Sequence, residues 1–432
     1  MKVSKIYLSH LGCAKNMVDT EIFLSHFLKL GCVETENSGE ADLILVNTCG
    51  FIGPAKEQSI DTIFHHVKND KGKVVVAGCL YQRYGDLNEQ IPEVDGWLKT
   101  NSFEEVKALL QKLGLNTSSW EMPFDPYDRV LFEKAPHAYL RISEGCNKTC
   151  AFCAIPKFKG KMVSRTMESL VLETENLVKK GIKEINVVSQ DTCNYGVDIY
   201  GPGTGGIHLL ELLKQLTRTD IERIRLLYLY PLWLNEQFYE FMAASPKICN
   251  YIDMPLQHCN VEVLRSMKRP GSPERYLNEL NKIRSIIPGV SLRTTFLVGF
   301  PGETESQYQE LVSFVSEAKF EWMGAFSYSR EDGTSAFNNE NMVHHRTVER
   351  RRRNLIETFE KNRDNNPSRV GQIEMVLVEE NLNDTSIGRT QHQAPEVDGV
   401  TYLDAPNAKQ GELIPAMITH EEGFDLRAKI VA

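Results

Sequence analysis

Eight residues, Cys146-Asn-Lys-Thr-Cys150-Ala-Phe-Cys153, constrain this chain more than any other stretch. They follow what reads as a short buried strand, Ala138-Tyr-Leu-Arg-Ile-Ser143, so the loop opens at a strand's carboxyl end. With three residues between the first two cysteines and two between the second pair, the three sulfurs can converge on one soft metal centre. A structural zinc ion normally takes four protein ligands, and the nearest further candidates, Cys193 and His137, lie outside the loop. Three thiolates around a four-iron cluster would leave one iron open to bind and activate a substrate. A zinc knuckle or three buried thiols are the alternatives.

The chain of 432 residues has room for two to four domains, and 41% hydrophobic with 25% charged residues is ordinary soluble-globular usage. The start, Met1 to His10, has basic residues without the apolar core of a secretory signal. Together with ten cysteines this points to a reducing compartment, the cytoplasm, where thiolates bind metal instead of pairing. No membrane span is expected. A net charge of −9 argues against a general polyanion binder. From Pro367 to Ala432 five Lys/Arg stand against eleven Asp/Glu, so −6 of that charge sits in the tail, which suits a basic protein partner better than bare RNA.

Residues 1–115 read as a first domain. Apolar runs at Lys5–Ser9, Ala41–Thr48 and Lys73–Gly78 alternate with helical patterns at 16–31 and 55–68, the signature of an open parallel sheet covered on both faces. Cys13, Cys49 and Cys79 each follow a strand, and the carboxyl ends of parallel strands share one edge, where ligands bind. Gly12, Gly50 and Gly78 stand beside the three thiols, where a missing side chain lets backbone approach a bulky ligand. Cys32 precedes a short strand and reads as a small buried side chain.

Residues 116–131, rich in Pro, Asp, Ser and aromatics, read as a linker. In 132–363 strands are expected at 138–143, 183–189, 222–228, 251–256, 291–298 and 322–328, with helices near 167–180, 206–217, 234–243, 273–286 and 304–318. Six such units make a partial (β/α)6 barrel, whose active residues belong at the strands' C-terminal ends. Gln190 and Asp191 follow the second strand, Gln257 and His258 the fourth. Leu297-Val-Gly-Phe-Pro-Gly-Glu-Thr304 follows the fifth, and Gly299 and Gly302 would let backbone meet a flat ligand such as adenine. Glu303-Thr304 also reads as the cap of the next helix. The basic run from Val343 to Asn354 could contact phosphate, but a solvated helix face is the blander reading. Short strands within 366–432 complete a five-stranded barrel.

The cysteine spacing, with Phe152 before the last thiol, resembles the signature of radical S-adenosylmethionine (radical SAM) enzymes. Gly12-Cys-Ala-Lys-Asn16 with Asp19 and Glu21, Val46-Asn-Thr-Cys-Gly-Phe-Ile52 and Ala77-Gly-Cys-Leu-Tyr-Gln-Arg83 resemble the three cysteine motifs of the methylthiotransferase family within that class. The resemblance covers essentially the whole chain. It implies a flavodoxin-like N-terminal domain, a radical SAM core and a terminal TRAM domain, an OB-like barrel. It further implies two 4Fe-4S clusters, one on Cys13, Cys49 and Cys79 and one on Cys146, Cys150 and Cys153, with S-adenosyl-L-methionine near Phe152, Gln190, Gly299 and Gly302. Lys159 before Gly160 departs from the arginine of many members, and Cys193 is an additional thiol near the site.

Ser189-Gln-Asp-Thr192, Ser327-Tyr-Ser-Arg-Glu-Asp-Gly-Thr334 and Gly388-Arg-Thr-Gln-His-Gln-Ala-Pro-Glu-Val-Asp-Gly399 resemble the branch acting on ribosomal protein uS12. That branch adds a methylthio group to the β-carbon of an aspartate, with S-adenosylmethionine as both radical source and methyl donor. The partners implied are uS12 or the small ribosomal subunit, an electron donor and a sulfur donor of unknown identity. Direct RNA contact stays open. A tRNA adenosine C2 methylthiotransferase and a non-catalytic iron–sulfur protein are the alternatives.

Overall fold

The computed structural model describes residues 4–100, 102–115, 129–363, 365–382 and 384–431. The chain forms two compact bodies. The first comprises 1–134 with the short segments 153–161 and 329–333; the second comprises 135–152, 162–328 and 334–432.

The first body is built on a five-stranded parallel sheet in the order β2-β1-β3-β4-β5, with β1 Lys5–His10, β2 Val33–Glu34, β3 Leu43–Thr48, β4 Lys73–Gly78 and β5 Gly96–Leu98. This is the flavodoxin-like order. Every residue of β3 is buried, which is why its sequence runs apolar without alternation. Ile44, Val46, Val74 and Val76 pack on Ile63 of the helix Gly53–Asn69, and Pro at the start of that helix suits a position with no bonding N–H to lose. The helix Ala14–Lys29 starts directly after the β1 loop, with Cys13 as its N-cap residue.

Residues 116–128 of the expected linker lie outside the described residues. Arg129, at its end, is not linker-like. It is buried and pairs with Glu21 at 2.5 Å, so a motif carboxylate anchors the chain as it leaves the first body.

In the second body, β6 His137–Arg141, β9 Glu184–Val188 and β10 Arg223–Leu226 form one parallel sheet, and β11 Tyr251–Asp253, β12 Ser291–Val298 and β13 Trp322–Ser327 form another. The two-residue strands β7 Ser143–Glu144 and β8 Val163–Ser164 pair beside them. A parallel bridge from Ile224 to Ile248 and a bond from Leu229 N to Asp253 O join the two sheets at β10 and β11. The strand order β6-β9-β10-β11-β12-β13 is therefore the expected six-stranded half-barrel. Thr166, Asn235, Asn260, Ser272 and Thr304 each cap a following helix with a side-chain oxygen, and Thr304 closes a capping box with Gln307.

Strands β14 Ile373–Leu382, β15 Thr385–Arg389, β16 Thr401–Asp404, β17 Leu413–Glu422 and β18 Asp425–Ile430 close a small barrel. Its β15–β16 connection packs against the N-terminal ends of the half-barrel strands. Glu184, first in β9, receives Arg389 at 2.9 Å and lies 3.4 Å from both Arg223 and Arg225. Arg225 donates to the carbonyls of Thr390 and Gln391, and Trp322 Nε1 donates to His392 O at 2.7 Å. Tyr139 reaches Glu396 at 2.6 Å, Tyr251 reaches Asp398 at 2.6 Å, and Arg293 lies 3.4 Å from Asp398.

The tail's acidity is partly internal for this reason. Glu374 and the side chain of Asp398 are buried, leaving among the described residues of the barrel seven exposed acids against three exposed bases. The basic run is also corrected. In the helix His345–Arg363, Arg351 is buried and bonds Glu303 at 2.6 Å, so only part of that run is a solvated face.

Half-buried His10 and the buried His258 and His392 give the fold an acid limit. Burial lowers His10 and His392 to about 4 and, with Arg351 nearby, His258 to about 3. An unfolded histidine binds a proton from about 6.5 downward, whereas these stay neutral when folded. Their stabilisation is complete above pH 6.5 and is lost progressively as pH falls toward 4. A His392→Gln chain should show a shallower loss of urea midpoint between pH 6.5 and 4.5 than the parent, whatever its stability at pH 8.

Candidate functional site

Strands β1, β3 and β4 are neighbours in the first sheet, so the loops after them meet at its carboxyl edge, beside the point where strand order reverses. These loops carry Cys13, Cys49 and Cys79. The three thiols are close enough for each charge to act on the others: burial first, then Cys13 and Cys49, pushes Cys79 up to about 12. Burial also raises Cys49, with Cys13 contributing.

Asn16 holds the three loops together. Its Nδ2 donates to Leu11 O at 2.7 Å and Thr48 O at 3.0 Å, while Oδ1 accepts from Cys79 Sγ at 3.7 Å. Ser59 Oγ accepts from Cys49 N at 3.0 Å and donates to Cys49 O at 2.9 Å. The glycines beside the thiols have a reason the sequence did not reveal. A Cβ on Gly12 would lie 3.2 Å from Cys49 Cβ, one on Gly50 2.8 Å from Cys79 O, and one on Gly78 2.3 Å from Asn47 Oδ1. Gly12 and Gly78 also adopt φ of +107° and +100°. The glycines let the loops touch one another.

Cys146 and Cys150 lie in the second body, in an irregular loop after β7, and Cys153 begins the segment 153–161 of the first. Burial lifts Cys146 to about 11. The loop's backbone is pinned by Ala151, whose N–H reaches Met267 O and whose carbonyl accepts from Ala336 N, both at 2.9 Å. Arg269 Nη1 donates to Cys150 Sγ at 3.6 Å and Nη2 to Pro255 O at 2.6 Å, while its guanidinium stacks 4.6 Å from the Tyr230 ring. Lys148, between the first two cysteines, sits 3.8 Å from the Trp233 ring, 4.2 Å from that of Tyr230 and 3.8 Å from Asp191. Donors aimed at a cluster's sulfurs tune it. Sequence reading missed Arg269 and the aromatic pair, because their meeting with the loop spans about a hundred residues.

Other expected residues fall into place unevenly. Phe152 packs with Ala151, Met267 and Phe300. Gln190 Nε2 donates to Glu144 at 3.0 Å, and its buried Oε1 has no partner among the described residues. Gly302 has open space where a Cβ would stand, whereas a Cβ on Gly299 would meet Val348 at 2.4 Å. Glu303 ties this loop by accepting from Gly299 N at 2.8 Å. His258 is wholly buried; its Nδ1 accepts from Asn260 N and its Nε2 lies 3.7 Å from Glu303. Cys193 is buried and accepts from Tyr230 N at 3.1 Å.

All ten cysteines are free. Two sulfur-only trios without a disulfide suit iron–sulfur chemistry, and thiols raised by burial would lose their protons to a metal ion. In metal-free protein at pH 8, exposed Cys13 should alkylate with iodoacetamide well before Cys79, as peptide mass mapping over time would show.

A half-barrel opening onto a Cys-x3-Cys-x2-Cys loop defines a radical SAM enzyme, and residues 140–315 match the family model of the Radical SAM superfamily. Residues 5–99 match the model described as Uncharacterized protein family UPF0004, and 370–431 the TRAM domain. Among solved structures, the radical S-adenosylmethionine methyltransferase TsrM from Kitasatospora setae shares the fold, with a TM-score of 0.54 over 78% of this chain and 74% of that one, at 15% identity. The ribosomal protein uS12 methylthiotransferase RimO of Alkaliphilus oremlandii is 41% identical over 96% of both chains. That of Chloroherpeton thalassium is 40% identical over 100% of this chain and 99% of its own, and that of Myxococcus xanthus 38% over 99% and 91%. The chain belongs to the uS12 methylthiotransferase (RimO) family of radical SAM enzymes. Among the described residues no helix is long and apolar enough to cross a membrane.

Proposed function

We infer that this protein transfers a methylthio group to the β-carbon of an aspartate in ribosomal protein uS12, with two 4Fe-4S clusters and S-adenosylmethionine as cofactors. The observation that carries this reading is the pair of three-thiol sets, in a chain 38–41% identical to uS12 methylthiotransferases over nearly its full length. When bound, the cofactors supply a carbon-centred radical able to take hydrogen from an unactivated carbon, together with the sulfur and the methyl group.

The chain's own part is binding and orientation. Cys146, Cys150 and Cys153 would hold one cluster and Cys13, Cys49 and Cys79 the other. Arg269 steadies the Cys150 thiolate. Gln190, with an unmet carbonyl oxygen, and the open backbone at Gly302 suit the amino group and the flat base of the bound nucleoside. Phe152 packs behind the cysteine loop and holds its shape. An excess of exposed acids on the terminal barrel suits a basic ribosomal protein better than RNA. Ten reduced cysteines suit the cytoplasm, where an electron donor and a sulfur source must also act. Mass spectrometry of uS12 from cells with and without the gene tests the reading. Loss of the methylthio mass from one aspartyl peptide is expected, and an adduct that persists would refute it.

A further inference from the structure

Three loops must hold the thiols of the first body at fixed spacing, and part of what does so comes from far along the chain. Residues 329–333 follow β13 in sequence but belong to the first body. Within them the side chain of Glu331 is 2% exposed. It accepts from Gly53 N at 2.7 Å, Ser329 Oγ at 2.6 Å and Lys56 Nζ at 2.9 Å, and pairs with Arg83 at 3.0 Å. Burial acts to raise its pKa, but the bonds from Ser329, Lys56 and Gly53 outweigh burial and hold the carboxyl below its ordinary value.

Arg83 is the decisive partner. It ends the short helix Cys79–Arg83, one turn beyond Cys79. Its Nη1 donates to the carbonyls of Gly50 at 2.8 Å and Phe51 at 3.0 Å, the two residues directly after Cys49, and its Nη2 to Asp332 O at 2.8 Å. One guanidinium thus ties the Cys49 loop to the Cys79 helix. Glu331 holds that guanidinium and, through Gly53 N, the first turn of the helix that follows the Cys49 loop. The absence of room for a Cβ at Gly50 means that the two segments have no slack.

We propose that Glu331 is a positioning residue of the thiol site. Acting through Arg83, it sets the Cys49 and Cys79 sulfurs at the spacing a three-thiolate cluster needs, so a peptide from beyond the half-barrel completes a site otherwise built by the first hundred residues. This rests on the reading of Cys13, Cys49 and Cys79 as cluster ligands.

The test uses the full-length protein, reconstituted anaerobically and followed by Mössbauer spectroscopy during exposure to an iron chelator. Glu331→Gln and Arg83→Gln should each lose the first-body cluster about tenfold faster than the parent, the scale set by removing charge-assisted hydrogen bonds. The cluster of the Cys146 loop should keep its parental rate, and 5′-deoxyadenosine formation should persist while methylthiolation falls. The double variant should be no worse than either single one, because both act through the same contact. Unchanged loss in both single variants, or equal acceleration at both clusters, would overturn the proposal. If one variant does not fold, the other carries the same test. A Cys13/Cys49/Cys79→Ala chain that still held two clusters would remove the underlying reading and the proposal with it.

Discussion

Replacing Cys146, Cys150 and Cys153 together by alanine should abolish reductive cleavage of S-adenosylmethionine while leaving a folded protein. The fold should survive because the loop's shape does not depend on the sulfurs. Ala151 keeps its backbone bonds to Met267 and Ala336, and Cys150 and Cys153 are already partly exposed. Chemistry should not survive, because no side chain acting as an acid or base at neutral pH can abstract hydrogen from a saturated carbon. Iron and sulfide content should fall to that of one cluster, and 5′-deoxyadenosine should drop to the background of the protein-free reaction. Retention of two clusters by Mössbauer spectroscopy would mean that these thiols are not the ligands.

The second large effect is on stability. Glu184 is completely buried, with Arg389 at 2.9 Å and Arg223 and Arg225 each at 3.4 Å. Burial alone would raise its pKa, but Arg389, Arg225 and Arg223 hold the carboxyl far below the usual carboxylate range. A carboxyl depressed in this way stabilises the fold at every pH above its ordinary value of about 4.5 and loses that contribution only as pH falls toward the folded value. At pH 7 the contribution is complete. Glu184→Ala leaves three guanidinium groups packed together without their shared counter-charge, and breaking a buried pair by removing one partner costs about 3–5 kcal/mol. Urea unfolding at pH 7 measures it, and a loss below about 1 kcal/mol would show that the arginines find solvent or other acceptors.

How much of this was written in the sequence depends on how far each interaction reaches. Strands and helices were legible because local burial imposes its own period. β3 reads Leu43-Ile-Leu-Val-Asn-Thr48 because both its faces are covered, and the helices Pro273–Ile286 and Glu305–Ala318 carry their caps in sequence. Cysteines at strand ends were legible because a parallel sheet gathers those ends. Arg351 was not, since nothing in a run of arginines marks the one that turns inward to Glu303, 48 residues away. Nothing local marks Glu331, because its partners Lys56 and Gly53 are 275 and 278 positions distant. The glycines beside the thiols read in sequence as room for a ligand, and the crowding of one loop's backbone against the next, invisible in sequence, is a second reason for them.

The loop from Arg389 to Asp398 also covers the half-barrel at the amino ends of its strands. Its Arg389, Gln391 and Asp398 side chains bond to Glu184, Asn250 and Tyr251 at or just before the strands' first residues. A chain cut short after the helix His345–Arg363 would be uncorked as well as lighter: water would reach Glu184, Tyr251 and Trp322 from behind. The terminal barrel is thus part of the vessel, and exchanging it for a relative's would require recasting the base on which the strands stand.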